Sequence, residues 1–229
     1  EETLNATYGT GFPDWDSLAG KPRLNFSIES EAALEDEEAF LALLANRHFE
    51  IVRAAAKEGA PNHLYLGERT QLRTIPDSVL HVMGKHVDVF CTQSLIRLPQ
   101  SPPEWQIFQR EHYDHEFSLV GRPTIIVDWA APFTLSDKPV KTEYGTLKPE
   151  KESGEEAAKF VHDAFGAPYL TGLFICQVIG THGNDEFFLR AKRTYLQDDG
   201  TRYQTRTALL REANLQVMKR LYEEVAEKN

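Results

Sequence analysis

Four of five consecutive residues, Glu111, His112, Asp114 and His115 in Glu111-His112-Tyr113-Asp114-His115, are of types that bind divalent metals, and on a helix Glu111 and His115 would share a face. The run lacks the His-Glu-x-x-His order of a zinc protease, and polar helices carry such clusters on solvated faces, so no metal is assigned to it. Gln177, His182, Asn184 and Asp185 form a second polar set in a turn-rich stretch, where they either face a ligand or satisfy one another within the turns. Residues that end apolar runs are more telling. Asp128 closes Thr124-Ile125-Ile126-Val127 and is followed by Trp129, while Glu68 and Arg69 follow Leu64-Tyr65-Leu66-Gly67. An acidic side chain at the carboxyl end of a parallel strand is placed for ligand contact; otherwise it caps the next loop. Glu68 and Arg69 are read as ending their strand on one face, as ligand contacts or as a rim ion pair. Trp129 offers either a stacking surface or core volume.

Several chemistries are set aside by what is missing. There is no Gly-x-Gly-x-x-Gly after a strand, no Walker loop, no Gly-x-Ser-x-Gly elbow and no Cys-x-x-Cys. No cofactor is therefore implied. The two cysteines, Cys91 and Cys176, sit inside apolar runs, where a buried reduced thiol is expected. A net charge of -10 argues against nucleic acid as a partner, because a phosphate-binding surface needs clustered Lys and Arg. No apolar run approaches the roughly 18 residues of a membrane span, and Glu1-Glu2-Thr3 lacks the basic and apolar regions of a signal peptide. The compartment stays open.

The elements that must position these residues are legible as alternating runs. His63–Gly67, Val87–Thr92, Thr124–Asp128 and Leu173–Ile179 are short, apolar and partly β-branched, and are predicted to be buried strands. Helical periodicity marks Glu37–Lys57, Asp77–Lys85, Pro103–Leu119, Gly154–Phe165 and Tyr203–Ala226. Strands separated by helix-length connections do not form hairpins, so the chain reads as α/β, with right-handed parallel βαβ repeats. Glycine-proline punctuation at Gly59-Ala60-Pro61, Gly121-Arg122-Pro123 and Gly166-Ala167-Pro168 precedes the strands. Phe133–Glu152 is expected to be a long loop, and 229 residues suffice for a single domain, 1–229.

Several of these stretches, in order, resemble agarase-like glycoside hydrolases with a (β/α)8 barrel. Leu4-Asn5-Ala6-Thr7-Tyr8-Gly9-Thr10-Gly11-Phe12-Pro13-Asp14-Trp15 is similar to the tract after that family's fourth strand. Ala60-Pro61-Asn62-His63-Leu64-Tyr65-Leu66-Gly67-Glu68-Arg69 resembles the fifth strand, Val87-Asp88-Val89-Phe90 the sixth and Gly121-Arg122-Pro123-Thr124-Ile125-Ile126-Val127-Asp128-Trp129 the seventh. Leu170-Thr171-Gly172-Leu173-Phe174 resembles the eighth more loosely.

The resemblance implies half of a TIM (β/α)8 barrel, strands five to eight, acting on β-linked, agar-type polysaccharide. It places Asp128 where the family has its nucleophile, and the acid/base glutamate upstream of the first residue here. Glycoside hydrolysis uses two carboxyl groups roughly 5 to 5.5 Å apart for retention and further apart for inversion. One alone does not make a working site, and Asp is a methylene shorter than Glu, so this isolated chain is expected to be inactive. Glu68, Arg69, Gln93, Trp129, Gln177 and His182 are the implied sugar contacts, although Gln93 stands where the family is richer in Asn and Tyr. The alternative is a non-catalytic carbohydrate-binding or structural assembly subunit.

Half a barrel also leaves two strand edges and an apolar inner face uncovered. A partner chain, a missing N-terminal half, a homodimer, or residues 1–36 folded over the opening would cover them. Within that stretch Arg23–Ile28 alternates and could add a strand.

Overall fold

The computed structural model describes residues 2–21, 31–94, 107–142, 145–176, 178–179, 192–197 and 199–227. Helices α1 (Glu2–Tyr8) and α2 (Trp15–Ala19) open the chain, followed by the long α3 (Glu31–Gly59). Then come β1 (Thr70–Gln71), α4 (Asp77–His86), β2 (Phe90–Gln93), α5 (Arg110–Val120) and β3 (Thr124–Trp129). Three short strands, β4 (Phe133–Thr134), β5 (Val140–Thr142) and β6 (Gly145–Pro149), precede α6 (Glu150–Ala164), β7 (Leu170–Ile175) and α7 (Gln204–Ala226). The proposed strand Arg23–Ile28 and the start of the expected helix at Pro103 lie outside the described residues.

The main sheet has the order β1-β2-β3-β7, and every pairing in it is parallel. Spatial order follows chain order, so each crossover steps in the same direction and the helices collect on one face, as in a barrel wall. On that face Phe90 joins Leu80, Met83 and Val120 in one buried cluster, while Ile126 joins Tyr113, Phe160 and Ala157 in another. The opposite face is open. Leu64 is 67% exposed, Leu66 36% and Phe174 57%, whereas their neighbours Tyr65 and Leu173 turn toward the helix-side clusters.

Tight packing of the helix layer fixes α4 against α5. A β-carbon at Gly84 would lie 2.2 Å from the carbonyl oxygen of Val120, and the Gly84 carbonyl itself accepts Arg122 Nε at 2.8 Å. The helix α5 stops at Gly121, whose φ of 62° lets its N–H reach Phe117 O; the expected glycine-proline boundary is thus a left-handed cap. At the other end of the sheet, Arg206 of α7 is fully buried between the rings of Phe133 and Tyr195, 4.2 and 4.3 Å away, and donates to Ala131 O. That contact ties α7 to the turn after β3.

Three expectations are corrected. Ladder pairing begins at Thr70 rather than across His63–Gly67, because the Asp88 carboxylate takes the amide a neighbouring strand would have used. Tyr65 N–H donates to Asp88 Oδ2 at 2.8 Å, and Asp88 N–H donates to Tyr65 O at 2.8 Å. Gly67, at φ 70°, then turns the chain, in a space where a β-carbon would meet Val87 at 2.6 Å. The stretch expected to be one long loop, Phe133–Glu152, contains the second sheet, β4-β6-β5, and the first turn of α6. Its strands are two to five residues long, too short to carry the apolar run that marks a buried strand in sequence. The last sheet strand also starts three residues earlier than the expected Leu173.

Replacing Gly84 by Ala should destabilise the protein by about 1–3 kcal/mol, read by chemical denaturation, because backbone of α5 has to move. Asp88 gives a second expectation. Its carboxyl is held well below the usual range by Tyr65 N–H, then by Lys57 and Arg53. A depressed folded value means stability that is present above the unfolded value of about 4 and lost as pH falls below it. Asp88→Asn should therefore be less stable at pH 7 and show a flatter acid limb in urea midpoints taken from pH 7 down to 3.

Candidate functional site

A regular strand sends alternate residues to opposite faces, so Asp128 and Trp129 cannot both face the open side. The register resolves the conflict. Ile126 and Trp129, three apart, both enter the helix-side cluster, and the β3–β7 pairing shifts between them. Within that shift Asp128 has φ 54°, a left-handed backbone that Asp tolerates better than most residues. This irregularity adds one residue to the strand, turns Asp128 to the concave face and returns Trp129 to the core. Trp129 is fully buried and stacked on Phe160 with ring centroids 4.8 Å apart. It gives no platform to a sugar ring in this chain, which corrects the stacking role considered for it.

Asp128 sits at the carboxyl-terminal rim of the sheet and gathers partners from three other segments. Arg69 Nη1 and Gln93 Nε2 each donate to Asp128 Oδ2 at 2.8 Å. Gln93 is buried at the end of β2, and its backbone carbonyl accepts Leu72 N–H at 3.0 Å, so its amide is held in place. Adjacent Thr92 points the other way and donates to the buried Glu116 of α5 at 3.2 Å. Cys176, just past β7, anchors its backbone N–H on Trp129 O at 2.8 Å. Burial pushes the Cys176 thiol up, and its hydrogen bond to Asp128 pushes it further in the same direction. That thiol is a protonated donor near the carboxylate, a neighbour that sequence spacing gave no reason to expect. Burial likewise pushes Cys91 up, and both cysteines are free thiols.

The Arg69–Asp128 pair is half open to solvent on the arginine side, 55% against 28% for the aspartate. Such a pair is worth about 0–1 kcal/mol, so its consequence is orientation of the carboxylate rather than stability. Glu68 does not join it. Neighbours on an extended segment diverge, and Glu68 instead meets His48 of α3 at 2.6 Å, away from Asp128. The expected common face of Glu68 and Arg69 is thereby corrected. Gln177 and His182, with Asn184 and Asp185, lie outside the described residues.

The His-rich run of α5 is drawn into separate structural contacts. Asp114 accepts Arg110 Nε at 2.7 Å and Tyr169 OH at 2.7 Å; against the opposing effect of burial, these bonds hold its carboxyl below the usual range. His115 pairs with Asp77 at 3.0 Å.

Glu116 is a further site-supporting group that the sequence did not single out. Its carboxylate accepts Arg73 N–H at 3.0 Å, where Arg73 has φ 63°, as well as the Thr92 hydroxyl. It pins the β1–α4 turn to the strand end that carries Gln93. Burial raises the Glu116 carboxyl.

The class of fold follows from this geometry: a one-sided, sequentially ordered parallel α/β sheet, with its polar residues on the carboxyl-terminal rim, is part of the wall of a TIM barrel. Among proteins with this fold the chain resembles the agarases. It is 39% identical over 67 residues, 29% of its length, to Beta-agarase A of Vibrio sp. (strain JT0107), and covers 6% of that protein. In three dimensions it is similar to PfGH50B, with TM-score 0.77 and 18% identity over 96% of this chain and 30% of the other. An exo-beta-agarase follows at TM-score 0.73 and 17% identity, covering 95% of this chain and 28% of the other. The agarase AgWH50C gives TM-score 0.69 and 22% identity, covering 93% and 29%. The chain thus spans less than a third of the length of these relatives, and at such identities the structures share the fold. No protein-family model matches.

Trp129→Ala should cost about 3–5 kcal/mol in denaturation midpoint experiments, as for a large core aromatic. Asp128→Asn should change stability by less than about 1 kcal/mol, since only an exposed pair is altered. Equal losses for the two variants would show that Asp128 is a structural cap.

Proposed function

We propose that this chain is the site-bearing wall of a glycoside hydrolase-like protein directed at agar-type, β-linked polysaccharide. The supporting observation is the position of Asp128. It stands on the third of four sequential parallel strands, turned to the open face by a left-handed residue, with Arg69 and Gln93 fixing one oxygen. The similarity to agarases in both sequence and fold supports this choice of substrate class.

Chemically, a carboxylate so oriented can do one of two things at a sugar ring: attack the anomeric carbon, or stabilise developing positive charge there. Arg69 and Gln93 suit the second role better, because two donors on one oxygen draw electron density from the group and hold it still. A leaving glycoside also needs an acid on the opposite side. On this reading, four further βα units complete the barrel and bring that acid, and the isolated chain binds without cleaving. In the non-catalytic alternative, the same carboxylate, arginine and amide hydrogen-bond sugar hydroxyls and nothing else.

Binding of agarose-derived oligosaccharides to the chain, followed by calorimetry, tests the proposal. Saturable binding that falls by about tenfold or more in Asp128→Ala and in Arg69→Ala is expected, as for loss of charge-assisted contacts. No binding of any agarose oligosaccharide, or binding indifferent to both substitutions, would overturn it.

A further inference from the structure

Glu116 breaks the pattern of the helix that carries it. The buried side chains of α5 are Tyr113, Glu116 and Val120, at steps of three and four, so position 116 lies in the middle of the stripe that meets the sheet, where an apolar residue is expected. The carboxylate there is 2% exposed, and its hydrogen-bond donors are a backbone N–H and a hydroxyl rather than a cation. Adjacent His115 is turned to Asp77. Burying a carboxylate with neutral donors costs stability that an apolar side chain would not. A local rule broken in this way points to function.

The two oxygens reach different segments. Oε1 accepts Arg73 N–H at 3.0 Å and Oε2 accepts the Thr92 hydroxyl at 3.2 Å. Arg73 closes the segment that begins at Arg69, and Thr92 immediately precedes Gln93. Between these points β1 and β2 pair only as Thr70 with Thr92 and Gln71 with Gln93, followed by the bond from Leu72 N–H to Gln93 O. A ladder so short does not hold itself. Yet it delivers both donors to Asp128 Oδ2, Arg69 Nη1 and Gln93 Nε2, each at 2.8 Å. Arg73 at φ 63° and Asp128 at φ 54° are the left-handed residues other than glycine among those described, and they stand at the two ends of this network. Such backbone persists where surrounding bonds hold it.

We propose that Glu116 is a positioning residue: from the helix side, without touching a ligand, it sets the approach of Arg69 and Gln93 to Asp128, and so the affinity of that site for a sugar. The inference rests on the reading of Asp128 as the ligand-facing group. Glutamine can take over the task, since its carbonyl accepts Arg73 N–H and its amide donates to the Thr92 hydroxyl. Methionine keeps the length and loses both contacts.

Two measurements on the full chain test this, one of them independent of any sugar. The first is the resonance of the Gln93 side-chain amide, identified by its absence from Gln93→Met. Glu116→Met should move it toward its position in Asp128→Ala, and Glu116→Gln should leave it in place. The second is calorimetric binding of agarose-derived oligosaccharides, where Glu116→Met should weaken affinity about tenfold or more and Glu116→Gln by less than about twofold. Glu116→Met added to Asp128→Ala should lose nothing further, the mark of a residue that acts through another. If far-UV circular dichroism shows Glu116→Met unfolded, Thr92→Val decides in its place, against Thr92→Ser, which keeps the hydroxyl. An unmoved Gln93 amide, wild-type affinity in folded Glu116→Met, or additive losses in the double variant would overturn the proposal. Sugar binding that depends on Asp128 and not on Glu116 leaves the functional reading standing while this one fails. An amide that responds as expected in a chain that binds no sugar leaves Glu116 positioning Asp128 while the agar reading fails.

Discussion

The site depends on one residue adopting a backbone conformation that side chains usually avoid. Asp128, at φ 54°, breaks the two-residue alternation of β3 at its end. Without that break, Asp128 would be driven into the apolar layer beneath α5 and α6, and Trp129 would stand in the open. Burying an unpaired carboxylate costs far more than the small penalty of a left-handed aspartate, while burying the indole gains hydrophobic free energy. Both terms favour the irregular strand. The strain is modest, local and aimed at function, since the carboxylate ends against Arg69 and Gln93.

Around that point the molecule separates stability from chemistry along the strand axis. At the amino-terminal side, Asp88 ties the Tyr65 segment to β2 and to Arg53 and Lys57 of α3, and Gly84 lets α4 lie directly on α5. These contacts are half-buried or buried and hold the wall together. At the carboxyl-terminal rim the groups are more exposed, weaker in net energy and better suited to a ligand. Glu116 bridges the two regimes, since from the helix side it fixes both Thr92 and the Arg73 turn, and so the strand end from which Gln93 reaches Asp128.

The helix layer is complete within the wall and unfinished at its flanks. Where helices have neighbours, as α4 does between α3 and α5, their apolar stripes are covered. Where they do not, on the outer sides of α3 and α7, stripes of equal regularity remain exposed. The two faces of the sheet show the same contrast, with Tyr65 and Leu173 packed on the helix side while Leu64 and Phe174 on the concave side are exposed. Hydrophobic patterning of this kind specifies contacts that the described residues do not themselves supply.

Much of the architecture was legible in the chain alone. Helical periodicity placed α4 and α7 to within one residue, and found α3 and α6 with starts six and four residues late; glycine-proline punctuation marked the entry to β3, because these signals are local and set by backbone sterics. The helix length of the connections required parallel pairing, and the order of the motifs carried the resemblance to agarases. Sequence also brought Asp128 and Arg69 forward as polar groups following apolar runs, and the resemblance added Gln93. What it could not decide was facing. Whether Asp128 or Trp129 looks into the opening depends on a single bulge, a non-local matter of register between β3 and β7. Whether Glu68 or Arg69 meets Asp128 depends on where α3 brings His48. The small sheet of β4 to β6 escaped because its strands gain their stability from pairing rather than from an apolar run, and Cys176 and Glu116 reach the site from elements distant in sequence. Local chemistry therefore fixed which residues were candidates, and tertiary packing chose among them, because alternation along a strand is cheap to write in sequence but its phase is set only when neighbouring strands and helices compete for the same side chains.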